Sequence, residues 1–312
     1  MRRYHSNDPG SKDAAKTDNI GGGETMKVET KENLKRNWYK FSAGGVSVFG
    51  LVIVVAIILL AIFAPIVTPY PEDVGAVVKF EEASQAPSLE HIMGTDTTGR
   101  DVFSRLIFSL RGSLLMGILV LAISVPVGFV VGVIAGYYKD TWIETVLMRI
   151  VDIFLSVPAL VLALAIAAIL EPNLTNSMIA ITIMWWPWYA RLTYGVVSSL
   201  RTENYIVYAE LTGAKMGHLI IHEFLPNAFD QILTKMTLDM GYVIIMGATL
   251  SFVGLGEQPP TPALGNMIND GVKYLPDMWW LTVFPAITII LIVLGFNLVG
   301  DGAGNVFNVE GK

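Results

Sequence analysis

Between Lys40 and Glu72 the chain carries no charged side chain, and within that stretch stands GVSVFGLVIVVAIILLAIFAP. About twenty consecutive apolar residues are what a helix needs to cross the hydrocarbon layer of a bilayer. The run is too long, and begins too late, for an ordinary secretory signal. Five more uncharged runs follow: Gly112–Tyr138, Ile153–Leu170, Pro172–Ala190, Met240–Gly256 and Met278–Gly300. The chain therefore reads as an all-α integral membrane protein with six transmembrane helices. A hydrophobic content of 53% with only 15% charged residues is more than one soluble core would bury.

The net charge of -6 is modest and spread out, which argues against nucleic acid as a partner, while the apolar runs make membrane lipid one. With no cysteine there is no disulfide, thiolate metal site or cysteine nucleophile. Lys and Arg favour the cytoplasmic side of short connections. Placing the N-terminus inside puts fourteen of them in inner segments and five in outer ones, so both termini are predicted cytoplasmic. The expected organisation is a polar, disordered arm over residues 1–36, a first span over 37–70, an external segment over 71–112, a five-helix core over 113–304, and a tail over 305–312. Gly21-Gly22-Gly23-Glu24 is what a translated purine-rich ribosome-binding site would spell, so natural synthesis is expected to start at Met26, leaving residues 1–25 untranslated.

Ser124, Gly128, Gly132 and Gly136 recur every four residues in the second span, a small-residue stripe that lets another helix approach closely; Pro126 should bend that span. Arg149 and Asp152, one turn apart, read as a structural ion pair, with an ion pathway as the sharper reading. Trp185, Trp186, Trp188 and Tyr189, followed by Arg191, suit either an interfacial anchor or a candidate substrate path.

In RDVFSRLIFSLR the apolar residues Val102, Phe103, Leu106, Ile107 and Leu110 share one face, which predicts a separate helix lying flat in the outer interface. GEQPPTPALGNMIND, with Pro259, Pro260 and Pro262, predicts a rigid outer loop. On the inner side, within 201–235, a short helix from Thr202 to Thr212 should be interrupted at Gly213. Met216, Leu219, Ile220 and Phe224 then resume an apolar face that Pro226 should end. Two short helices joined at a glycine form an amphipathic knob suited to docking a partner protein; a surface loop without a partner is the plainer reading.

Gly213, Leu225, Pro226 and Asn227 at this spacing resemble the EAA loop of importer-type ABC permeases. HIMGTDTTGRDVFSRLIFSLRGSLLMG, ETVLMRIVDIFLSVPALVLALAI, WYARLTYGVVSSLRTENYIVYA and LSFVGLGEQPPTPALGNMINDG are similar to the second permease subunit, the C type, of the dipeptide, oligopeptide and nickel transporters. The likeness runs from about Asn37 to Gly302. It implies a type I ABC importer permease (MetI-like) fold in the cytoplasmic membrane of a prokaryote, in a complex with a homologous second permease, two ATP-binding subunits and an extracytoplasmic substrate-binding protein. It implies that Tyr205, Val207, Tyr208, Ala209, Glu210, Gly213, Ala214, His218, Leu225, Pro226 and Asn227 form the loop that couples to the ATPase. The pattern departs where Val207-Tyr208-Ala209 replaces Glu-Ala-Ala, where Glu210 and His218 stand in place of arginine, and where Ala303-Gly304-Asn305 replaces Leu-Arg-Asp.

No Gly-x4-Gly-Lys-Ser/Thr phosphate loop occurs in the sequence, so no ATP site, enzymatic activity or cofactor of its own is expected; ATP and Mg belong to the partner ATPases. Peptide is the expected substrate, with nickel, a metal chelate or an oligosaccharide as alternatives. Two rival readings are a non-transporting membrane scaffold and a metalloenzyme built on His218, His222 and Glu223, which would need a further ligand.

Overall fold

The computed structural model describes residues 32, 35–42 and 45–307, and over these it contains helices and no strand. The expected start at Met26 and the arm before it lie outside the described residues. After α1 (Lys35–Ser42) the chain passes six times: α2 (Val46–Ile62), α4 (Val102–Tyr137), the pair α5 (Trp142–Ser156) and α6 (Ala159–Ala167), α7 (Leu174–Leu200), α10 (Leu225–Phe252) and α12 (Trp280–Phe307). The connecting helices are α3 (Ala64–Val67), α8 (Asn204–Leu211), α9 (Met216–Leu219) and α11 (Leu264–Val272).

By length and apolarity alone only α4 and α12 qualify as single spans among the described residues. The third run is broken instead of being one rod: α5 and α6 meet at 88°, at Val157-Pro158. Proline removes a helix donor and drives the residue before it to extended backbone, here ψ 134° at Val157. α7 and α10 exceed the uncharged runs that announced them, because Arg191, Asp230, Lys235 and Asp239 all lie inside helix.

The small-residue stripe of α4 seats α7. A Cβ on Gly128 would stand 2.5 Å from the carbonyl oxygen of Trp186, and one on Gly132 2.5 Å from that of Ala190. Main chains this close leave no room for side chains, and in lipid such packing supplies the association that water exclusion cannot. Pro126 is accommodated within α4.

The predicted flat helix is not separate. Val102, Leu106, Ile107 and Leu110 form the first turns of α4 and are buried, packed among α2, α11 and α12. Burial against protein competes with burial in an interface, and an apolar face at 3.6 spacing does not say which prevails. The proline-rich segment after α10 is irregular up to Ala263 and then helical as α11.

The segment between α2 and α4 is tied down by buried polar groups. Asp73, with no exposure, accepts from the Asp101 N–H at 2.9 Å and pairs with Lys79 Nζ at 2.9 Å. Asp101 caps α4 through the Ser104 N–H (2.7 Å) and holds His91 Nδ1 at 3.0 Å. Arg105 donates to the carbonyls of Asp73 (3.0 Å) and Pro260 (3.2 Å), joining the segment before α4 to the proline-rich segment. The hydrogen bond to Asp73 raises the Lys79 pKa against the opposing effect of burial.

Candidate coupling element and transport groove

At the opposite end from the Asp73 network, α8 and α9 form an elbow. Ile206, Leu219 and Phe224 are fully buried with Val133 of α4 and Val197 of α7, so the elbow is mounted on the ends of two long helices. Its bend has a defined cause. Gly213 sits at φ +95°, its N–H bonding to the Glu210 carbonyl and that of Ala214 to the Ala209 carbonyl, both at 2.9 Å, which is a Schellman helix stop. The backbone, not crowding, demands glycine here, since nothing lies within 4 Å of a Cβ built on it. Ala209 and Ala214 pack inside that turn, half-buried like Glu210.

Pro226 does not end the second helix. α9 continues through a π-helical turn, Ile220–Phe224, directly into α10, where Pro226 occupies the first turn. A first-turn proline loses no needed donor, and the wider π turn accommodates the change of register. The loop expected over 201–235 therefore stops at Phe224, and its last third is α10. Outward the elbow presents Tyr205, Val207, Tyr208 (66% exposed), Leu211 (77%) and Ile221 (61%), with Leu225 beside them. His218 and His222 stack at 4.2 Å on the same exposed side.

The aromatic run of α7 divides. Trp185 and Tyr189 are buried in the core, and Trp186 packs on Phe154 of α5. Only Trp188 opens onto a groove of about 750 Å³ between α7 and α10, which Arg191, Asn227, Gln231 and Lys235 also line. Lys235 Nζ lies 3.1 Å from Asp239 and 5.6 and 5.4 Å from the ring centres of Trp188 and Tyr189. Asp239, 4% exposed, also accepts from Trp185 Nε1 at 2.9 Å. Asp152 pairs with Arg191 across the α5–α7 interface and not with Arg149, which is exposed. A neighbouring helix offered Asp152 a better partner than the next turn of its own.

Residues 128–308 match the family of binding-protein-dependent transport system inner membrane components, and 33–87 the N-terminal TM domain of oligopeptide transport permease C. The chain belongs to this permease family. The permease is 41% identical over 256 residues to a dipeptide transport system permease protein of Alkalihalophilus pseudofirmus, covering 82% of this chain and 83% of the relative. It is 37% identical over 284 residues to a probable D,D-dipeptide transport system permease protein of Escherichia coli, covering 89% and 94%. Its fold resembles an inward-facing MetNI methionine ABC transporter, with TM-score 0.52 and 18% identity over 64% of this permease and 94% of that chain. The permease is thus a membrane component of an ABC importer with the MetI-like fold expected from its sequence.

Sequence reading did not single out Gln231 and Lys235, which line the groove, or Asp239, which pairs with Lys235. A signal was present: Asn227, Gln231, Lys235 and Asp239 recur every four residues, one polar stripe along α10.

Proposed function

We propose that this permease forms one half of the transmembrane path of an ATP-driven peptide importer, and that the α8–α9 elbow transmits closure of the ATPases to the spans. The exposed apolar cap of Tyr208, Leu211 and Ile221, carried on a buried base whose second half, the π turn with Ile221, runs unbroken into α10, is the observation that supports this reading. Among the described residues such a cap has no partner, whereas a cleft on an ATPase subunit would cover it. Because α9, the π turn and α10 are continuous, and Ile206 of α8 is packed against Leu219 and Phe224, displacing the elbow moves the helix that lines the groove. Two conformations differing in contacts with the ATPase are what a nucleotide-driven switch requires.

In this reading a homologous permease completes the path, two ATPases bind ATP and Mg on the cytoplasmic side, and an extracytoplasmic binding protein delivers substrate. Both termini of the permease are cytoplasmic. Peptide is the substrate class that the similar relatives transport by name.

Gly213→Pro, whose ring fixes φ near -65°, should abolish binding-protein-dependent uptake of a labelled dipeptide while the chain still inserts. A bulky replacement of Ala209, inside the turn, should do the same. Normal uptake by both variants would refute the coupling role.

A further inference from the structure

We infer that the α7–α10 groove is a station for the carboxylate end of the transported peptide, with Lys235 as the group that receives it; the inference rests on the peptide reading above. Asn227, Gln231 and Lys235 line this groove from inside a helix that crosses the membrane. Amides and an ammonium facing hydrocarbon are costly, so that face belongs against water or protein. The lining contains two cations, Lys235 and Arg191, and no carboxylate. Their counterions stand outside it: Asp239 is buried behind Lys235, and Asp152 meets Arg191 from α5.

Lys235 is positioned as a receptor more than as a surface charge. Asp239 holds its ammonium from one side, with the Trp185 N–H fixing that carboxylate in turn. The rings of Trp188 and Tyr189 flank it. The side chain keeps 25% exposure, and an ammonium has three donors, so it can donate to a carboxylate arriving along the groove. From Asn227 to Lys235 the helix rises about 12 Å. An extended dipeptide spans about 7 Å, so the amide of Gln231, one turn or about 6 Å from Lys235, can meet its peptide group while Lys235 meets its end, and Asn227 lies beyond a dipeptide's reach.

The pairing with Asp239 has a further consequence. A bare buried cation would trap an anion, whereas an ammonium already partly neutralised binds it weakly enough to release it, which translocation demands.

The test compares uptake of labelled alanyl-alanine and its C-terminal amide by the complete transporter, reconstituted with its own partner subunits, for wild type, Lys235→Met and Lys235→Arg. Any preference of the binding protein enters every measurement equally and cancels from the comparison between variants. We expect Lys235→Met to lower the ratio of acid to amide uptake about tenfold, whatever its effect on total uptake, and Lys235→Arg to keep the wild-type ratio. Should Lys235→Met fail to assemble, Lys235→Gln, which can still donate to Asp239, serves for the same comparison. An acid-to-amide ratio equal in wild type and the uncharged variant overturns the assignment. A wild-type complex that imports neither compound overturns the peptide reading itself, and this assignment with it.

Discussion

The two ends of the bundle are built on opposite plans. At one end Asp73, Lys79, His91, Asp101 and Arg105 satisfy one another within the segment that leads into α4, with Asp73, His91, Asp101 and Arg105 each no more than 6% exposed. At the other, three fully buried side chains anchor an elbow whose outer face is apolar and open. Buried polar networks fix one arrangement, because each alternative strands a charge. Exposed apolar surface gains by being covered, and so invites a partner. One end is a clasp and the other a handle.

Breaking the clasp should have the largest effect. Asp73→Ala strips Lys79 and the Asp101 N–H of their buried acceptor and should destabilise the permease by about 3–5 kcal/mol, seen as a lowered thermal transition in detergent. Phe224→Ala, which empties the base of the handle, should cost about 3 kcal/mol. Its damage should stay local and appear as faster proteolysis between residues 201 and 224. The clasp should also loosen in acid. Burial tends to raise the Asp96 pKa, but hydrogen bonds from Thr98 and Arg100, together with the Arg100 charge, bring it below the usual 3.8. A depressed carboxylate contributes stability above its unfolded pKa and loses it as pH falls through the folded value. Protection of residues 79–100 from protease should thus fall below about pH 4 in wild type, and Asp96→Asn should remove that step.

The fold was largely legible, because six runs free of charge fall on the six passages. The same criterion hid the groove. Ending a span at its first charge cut α7 at Ala190 and α10 at Met240, which placed Arg191 and Lys235 in or near loops although both lie within helix. Helices that line a polar groove are less apolar than those that face lipid, so a hydropathy rule fails at such a groove. Local spacing failed in a different way at Asp152, whose partner is 39 residues distant. The Gly213 stop was readable because a left-handed residue has few sequence solutions. Pro226 misled, since proline both ends helices and begins them.

Smaller effects separate the base of the handle from its face. Gly213→Ala must adopt φ +95° with a Cβ and should cost about 1–2 kcal/mol, reducing uptake in part where Gly213→Pro abolishes it. Leu211→Asp should change stability least of all, by less than about 0.5 kcal/mol, because the side chain is 77% exposed and touches no part of the buried cluster. Yet a carboxylate in the middle of an apolar cap has to be desolvated when a partner covers it. Co-purification of the ATPase subunits should therefore be lost while the thermal transition stays put. At the clasp, by contrast, Asp73→Ala should lower stability and uptake together. If Leu211→Asp lowered the transition as far as Phe224→Ala does, Leu211 would belong to the interior of the elbow, and the distinction between handle and clasp would fail at the residue where it is most sharply drawn.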